Sequence, residues 1–389
     1  MAERLPPAPW QERADLAALV ATLGPGNARY VGGAVRDTLL AIAVNDVDVA
    51  TPLLPDTVMA LLERAQIRAV PTGIEHGTIT AVLPMGPVEI TTLRRDVATD
   101  GRRATVAFSS DWREDAARRD FTINALYADP ASGELFDYFG GLADLAERRV
   151  RFIGQAQDRI REDHLRILRY FRFQARFGSG PADPGSENAC RELAPTLKGL
   201  SRERVGMEVM NLLALPDPAP TVSRMEELGV LGVILPEADP QPLAGLVAHE
   251  IAQGQAPDPL RRLASLLPAD AVLAGQVASR FRLSGAQKKR LVTAVGRGAN
   301  ANAHALAYRI GREAALDRLL IAGQDTAPLK DWTIPELPLK GGEIVARGVH
   351  AGPSVARILQ AVEARWIEEG FPARGRVLRL LEEELAGHG

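Results

Sequence analysis

The sequence predicts an α/β head, a mixed sheet with helices, followed by an all-helical remainder. Three observations lead there. From Ala28 to about Gly154, strand-like runs alternate with helix-like segments, whereas nearly everything beyond carries helical periodicity. The chain has 389 residues, too many for one compact core, so two to four domains are expected. Between Arg29 and Thr51, two strand patterns flank a helix pattern and end on paired acids in N-D-V-D-V-A.

Residues 1 to 28 read as a lead-in and a helix over Trp10–Leu23, stopped by Gly-Pro-Gly. A short apolar strand, Tyr30 and Val31, then meets the turn Gly32-Gly33, with a helix from Ala34 to Leu40. Glycines there allow a backbone to approach a phosphate, the amides of a helix start point at it, and Arg36 adds charge. On the next strand alternation puts Asp46 and Asp48 on one face while Val47 and Val49 enter a core. Two adjacent carboxylates repel unless a cation lies between them, and hard divalent ions such as Mg²⁺ take oxygen ligands. Alone, such a doublet also suits a solvated strand.

Two neighbouring strands follow, Gly73–Leu83 and Val88–Arg94, with a turn at Pro84–Pro87. Glu89 is a lone carboxylate on the second, costly to bury unpaired, and is taken as a third acid of the metal site. Asp96–Thr105 is polar with an Asp-Gly turn and reads as a surface loop. In R-R-D-F-T-I-N-A-L, Arg118–Leu126, a helix puts Asp120 and Asn124 on one face, with Phe121, Ile123 and Leu126 free to pack. In R-E-D-H-L-R-I-L-R-Y-F-R-F, Arg161–Phe173, Glu162, Asp163, Arg166 and Arg169 fall at helical spacings. Gly178–Ser186, rich in Pro, Gly and Ser, reads as a loop between helices, and Ser201 as the N-cap of a helix to Leu213.

In this order and spacing, G-G-A-V-R-D with D-V-D-V-A-T resembles the first motif of the tRNA nucleotidyltransferase and bacterial poly(A) polymerase family, within the polymerase β-type nucleotidyltransferases. Arg118–Leu126 is similar to its second motif, Arg161–Phe173 to its nucleotide-selecting motif and Ser201–Leu213 to its fifth, a support for the neck. Segments Glu226–Glu237 and Leu339–Leu359 resemble its helical body and tail. The resemblance implies an α/β nucleotidyltransferase head over 1–154, a helical neck over 155–215 and a helical body and tail over 216–389 that bind tRNA. It implies addition of C, C and A to the tRNA 3′ end from CTP and ATP, with Asp46 and Asp48 holding two Mg²⁺ ions for an in-line displacement that releases pyrophosphate.

Within that resemblance Gly32, Gly33 and Arg36 serve the triphosphate, Asp120 and Asn124 the ribose, and Glu162, Asp163, Arg166 and Arg169 the base. Cytosine and adenine both present an amino donor beside a ring-nitrogen acceptor. A carboxylate only accepts and a guanidinium only donates. Asp163 on the amino group and Arg166 on the ring nitrogen therefore admit C and A and reject U and G, by ~1 to 3 kcal/mol per good contact. Segment Asp96–Thr105 falls where the family carries a flexible loop, shortened in versions that add only cytidines, which favours the complete activity. V-A-T-P-L-L-P-D follows the acidic strand where poly(A) polymerases typically carry R-R-F-R, which weighs against them. A partial CC- or A-adding enzyme, and a non-catalytic RNA-binding protein with a relict head, are the other readings.

Composition narrows the classes further. Hydrophobic residues at 46% and charged residues at 24% suit a globular protein. One cysteine, Cys190, cannot form an internal disulfide, and no apolar run approaches the ~18 residues of a membrane helix, so a cytoplasmic protein without an obligate protein partner is expected. The net charge of −3 hides two basic blocks. Glu147–Arg176 holds nine arginines against four acids. Ser279–Arg297 holds six cations, Arg280, Arg282, Lys288, Lys289, Arg290 and Arg297, and no acid. Two such blocks suit a phosphate backbone held along an extended surface. The six histidines form no His-Asp doublet and no H-E-x-x-H, which excludes a zinc protease or an attached metal phosphohydrolase.

Overall fold

The computed structural model describes residues 4–100, 103–297 and 302–387, with side chains 96–106 left aside. The chain forms two compact units: Met1–Leu212 with Pro220–Pro236, and Leu213–Ala219 with Glu237–Gly389.

Among the described residues the first unit holds nine strands: β1 (Arg29–Val31), β2 (Val47–Thr51), β3 (Ala69–Gly73), β4 (Thr78–Leu83), β5 (Gly86–Thr92), β6 (Arg94–Asp100), β7 (Arg103–Phe108), β8 (Leu126–Ala128) and β9 (Leu135–Asp137). Seven form one sheet in the order β3-β4-β5-β2-β1-β8-β9. The β2–β5 pair is parallel and the others antiparallel, so the sheet is mixed. Alternation decides its faces. Val47 and Val49, Val88 and Ile90, and Ile79 and Ala81 are paired in register and buried. Helices α1 (Ala14–Leu23) and α3 (Pro55–Arg64) cover that side, burying Leu16, Leu19, Leu23, Val58 and Leu62. Each such side chain contributes roughly 1.5 to 3 kcal/mol. Asp48, Glu89 and Thr80 occupy the opposite face, which stays at least partly open.

Between them α2 (Gly33–Leu39) contacts β1, β2 and β8. The polar segment expected as a loop instead carries the antiparallel pair β6–β7, with residues 101 and 102 outside the described residues. Alternating Val, Ala and Thr satisfy each other's backbone groups across the pair.

The helix expected over Arg118–Leu126 does not form. Helix α4 (Trp112–Ala117) ends before it, Phe121 is extended and bridges Phe152, and Thr122–Asn124 is a single 3₁₀ turn. Thr122 N donates to Arg151 O and Ile153 N to Asp120 O, so this backbone is satisfied across the fold and not along a helix. Burial of Phe121 and Ile123 repays it. After α5 (Gly141–Ala146) the unit is helical: α6 (Ala156–Glu162), α7 (Arg166–Phe177), α8 (Pro184–Leu193), α9 (Arg202–Leu213), α10 (Ala219–Glu227) and α11 (Val230–Ile234).

The second unit is all helical: α12 (Gln241–Ala252), α13 (Pro259–Leu266), α14 (Ala271–Arg280), α15 (Gly285–Ala294), α16 (Ala303–Ile310), α17 (Arg312–Ile321), α18 (Gly341–Val345), α19 (Pro353–Glu368) and α20 (Arg374–Ala386). Its first part is tied by buried charges. Glu250 accepts from Arg261 and Arg262 at 2.7 and 2.9 Å, and Asp317 from Arg261 and Arg290 at 3.0 and 2.8 Å. The last helices close around Trp366, whose indole N–H donates to Pro372 O at 2.8 Å. Among the described residues no helix is long and apolar enough to cross a membrane.

Candidate active site

Parallel register puts Asp48 of β2 directly beside Glu89 of β5. Asp46, two residues before Asp48, lies just outside the strand and is exposed. Among the described residues none of the three accepts a hydrogen bond or forms an ion pair. Burial, and then the charges of Glu89 and Asp46, push Asp48 up to about 6, with Arg119 opposing. A carboxylate so destabilised is poised for a cation. No group of three or more His, Cys, Asp or Glu residues gathers into a metal cage among the described residues. Glu89, the register partner of Asp48, is also its strongest acidic neighbour. The donor set fits a hard divalent ion such as Mg²⁺, which completes its shell with water and substrate oxygens.

Asp48 lies at the edge of a cavity of about 600 Å³. Gly32 and Gly33 form one wall. Gly32 has φ +68°, a left-handed backbone that suits glycine, and a Cβ there would lie 3.5 Å from Arg119 Nη1. Arg119 is fixed by Asp115, at 3.1 Å from Nη2, and by the Tyr127 hydroxyl, at 3.2 Å from Nε.

Arg36, expected to meet phosphate, is buried and already engaged. Its Nε donates to Asp37 at 2.7 Å, its Nη1 to Asn124 Oδ1 at 2.5 Å, and it stacks on Phe177 at 4.1 Å. Asn124 donates to Asp120 Oδ1 at 3.0 Å, and Arg169 donates twice to Asp120 Oδ2 at 2.9 and 2.6 Å. Asp120 and Asn124 meet as the sequence suggests, through a 3₁₀ turn in place of a helix. Burial would raise the Asp120 carboxyl, but Arg169, Asn124 and the Phe121 amide outweigh it and hold it below its usual value. Phe121 packs on Phe152 and Phe173, both at 4.9 Å between ring centroids, clamping α7 to this segment.

The stretch Arg161–Phe173 is not one helix. Helix α6 ends at Glu162, Asp163 is extended, and α7 restarts at Arg166. Asp163 causes the break, because its Oδ1 accepts the Leu165 amide at 3.1 Å and its carbonyl accepts that of Arg166. Glu162 still reaches Arg166, at 2.6 Å, and Arg159, at 2.5 Å, while Arg166 also donates to Arg159 O at 2.9 Å. Asp163, Arg166 and Arg169 line the cavity with Asp48. Glu162 stands behind Arg166.

Sequence reasoning missed several residues of this cavity. Arg118 and Arg119 adjoin Asp120 in the motif already quoted, so adjacency was a usable signal. Arg204, Met207 and Glu208 of α9 also line it, and no local pattern announces them. The basic blocks look different once folded. In the first, Arg149 and Arg151 pair with Asp144, Arg161 with Asp158, Arg172 with Glu208 and Arg176 with Asp37. In the second, Arg280 pairs with Glu237, Arg290 with Asp258 and Asp317, and Arg297 donates to Ser265 O and Leu267 O. Arg282, Lys288 and Lys289 remain exposed.

Comparison with known proteins follows the same lines. Residues 28–151 match the family model described as "Poly A polymerase head domain", and residues 183–241 that described as "Probable RNA and SrmB- binding site of polymerase A". The chain is 35% identical over 363 residues to mouse (Mus musculus) "CCA tRNA nucleotidyltransferase 1, mitochondrial", covering 88% of this chain and 83% of that protein. It is 42% identical over 200 residues to a Streptococcus pyogenes "CCA-adding enzyme", covering 51% of this chain and 48% of that protein. The crystal structure of the Bacillus stearothermophilus CCA-adding enzyme in complex with CTP superposes with a TM-score of 0.71 at 25% identity, over 96% of this chain and 98% of that one.

Proposed function

The chain belongs to the CCA tRNA nucleotidyltransferase family and is a nucleotidyltransferase, and from that premise we propose that it adds C, C and A to the 3′ end of tRNA, taking nucleotides from CTP and ATP. The observation that carries this reading is the convergence on one cavity of Asp48, the Gly32-Gly33 turn, Asp120 with Asn124, and Asp163 with Arg166, drawn from four separate stretches of sequence. The bond formed joins the tRNA 3′-oxygen to the α-phosphorus, and the bond broken releases pyrophosphate.

Asp46 and Asp48 would hold Mg²⁺, which when bound supplies charge neutralisation at the phosphates and acidifies the attacking hydroxyl. The protein's own groups do the rest. Gly32 and Gly33 present uncrowded backbone to the triphosphate, and Arg119, braced by Asp115 and Tyr127, supplies a preorganised positive charge beside them. Arg36 acts behind this wall, orienting Asn124 through its 2.5 Å contact. Asp120 and Asn124 are the ribose side of the cavity. Asp163 accepts the amino group of cytosine or adenine, and Arg166, steadied by Glu162, donates to the ring nitrogen. Selection therefore needs no nucleic-acid template. Segment 216–389 is proposed to bind the body of the tRNA, and the cytoplasm is proposed as the compartment.

The test is incorporation of each labelled NTP, with Mg²⁺ and with chelator, onto tRNA transcripts ending before the C, C and A positions. Two C and one A, then arrest, is the expected product; long A tails would make it a poly(A) polymerase, and arrest after CC a partial enzyme. Asp46→Ala should abolish transfer with tRNA binding retained, and strong residual incorporation would sink the metal-site assignment.

A further inference from the structure

Helix α9 reads from sequence as a support, yet Arg204, Met207 and Glu208, at i, i+3 and i+4, put one face of it on the nucleotide cavity. Glu208 is spent on Arg172, at 2.7 Å. Met207 is 54% exposed although apolar, and offers the cavity a soft surface. Arg204 reaches across 41 residues of sequence to donate to Asp163 Oδ2 at 2.7 Å, while the Leu165 amide holds Oδ1 at 3.1 Å. Each carboxylate oxygen thus has one fixed donor and spare lone-pair capacity. Asp163 itself sits on the extended break between α6 and α7.

We infer that Arg204 is a positioning residue for base selection: its guanidinium holds the Asp163 carboxylate oriented toward the amino group of cytosine or adenine. This rests on the base-selecting reading of Asp163 proposed above. The same geometry carries a second consequence. Uracil and guanine present a carbonyl where cytosine and adenine present the amino group, and a guanidinium is a good donor to a carbonyl. With Asp163 in place, Arg204 is masked by it; with Asp163 truncated, the freed guanidinium faces the position where that carbonyl would lie.

The experiment is steady-state incorporation of CTP, UTP, ATP and GTP by the full-length enzyme on tRNA transcripts ending at the C and A positions. The variants are Arg204→Ala, Arg204→Lys, Asp163→Ala and Asp163→Ala/Arg204→Ala. Arg204→Ala should lower the kcat/KM preference for CTP over UTP, and for ATP over GTP, by about tenfold, the scale of one charge-assisted contact. The KM for tRNA should stay unchanged. Arg204→Lys, which keeps one ion pair, should restore part of the preference, and it carries the test if Arg204→Ala does not fold. Asp163→Ala should use UTP better than the double variant does. A merely structural arginine would lower all four nucleotides together. Wild-type preference in both Arg204 variants, with Asp163→Ala relaxed, would overturn the inference and leave the base-selecting role of Asp163 intact. Wild-type preference in Asp163→Ala would remove that role, and the inference with it.

Discussion

Asp120→Asn changes one oxygen to an amide nitrogen at the centre of the cavity wall, and its consequences can be worked from the contacts. The carboxylate takes two hydrogen bonds from Arg169, at 2.9 and 2.6 Å, one from Asn124, at 3.0 Å, and one from the Phe121 amide, at 2.8 Å. An amide keeps one acceptor, so its new N–H₂ must face either Arg169 or the pair Asn124 and Phe121 N, donors in both cases. Breaking a buried ion pair from one side costs ~3 to 5 kcal/mol. The Arg169 side chain is 33% exposed, so water recovers part of that, and a loss of about 2 kcal/mol is expected. For a unit of this size that is a fall in Tm of about 4 to 8 °C. Whichever donor is displaced, the ribose side of the cavity loses a fixed contact, so the KM for CTP and for ATP should rise together and discrimination against dCTP should weaken. The preference for C and A over U and G should hold, because Asp163 and Arg166 are not touched. Thermal unfolding and nucleotide kinetics on the same preparation check both halves. A Tm within error of wild type, or a KM change confined to one base, would show that Asp120 does not hold this wall together.

Asp317→Asn removes the negative charge and one of the two acceptor oxygens shared by Arg261 and Arg290 at a fully buried site, and should destabilise the second unit by about 3 kcal/mol or more, read as lost hydrogen-exchange protection over 241–321. At Asp115 burial alone would raise the carboxyl, but Arg119, Arg118 and the Tyr127 hydroxyl outweigh it and bring it down to about 2. Since the folded value lies below the unfolded one, this stability is present above about pH 4 and lost as pH falls toward 2; Asp115→Asn should flatten that acid limb, worth about 2 kcal/mol, in a pH series of unfolding curves. Substituting Arg282, Lys288 or Lys289 by alanine should reduce the slope of log Kd for tRNA against log salt by about 0.7 to 0.9 each, with Tm unchanged. Arg290→Ala should lower Tm instead, because that side chain is spent on Asp258 and Asp317.

Short-range pattern carried far in this protein. Strict alternation in V-D-V set Asp48 opposite Val47 and Val49, and the two-residue period of a strand leaves no other arrangement once the valines enter a core. The boundary between mixed head and helical remainder was equally legible, because periodicity changes from near two to 3.6. Local reasoning failed where distant partners outbid local propensity. Arg118–Leu126 is helix-compatible, but its backbone donors and acceptors found Arg151 and Ile153, so the segment stays extended and turns tightly. Asp163 breaks a helix that its charge spacing supports, because its own carboxylate caps the restart at Leu165.

Charge was the least legible quantity. A run of arginines gives the number of cations, but which of them is free depends on acids far along the chain, such as Asp37 for Arg176 and Glu208 for Arg172. The amino-acid sequence alone determined the sheet face that carries the acids, the glycine turn beside them and the change to helix. Only the tertiary structure decided that Arg36 is a buried brace, that α9 supplies a wall of the cavity and that Arg204 holds Asp163. The reason is physical. Strand and helix periods are properties of the local backbone, whereas an ion pair is fixed by whichever opposite charge the folded chain brings within about 3 Å.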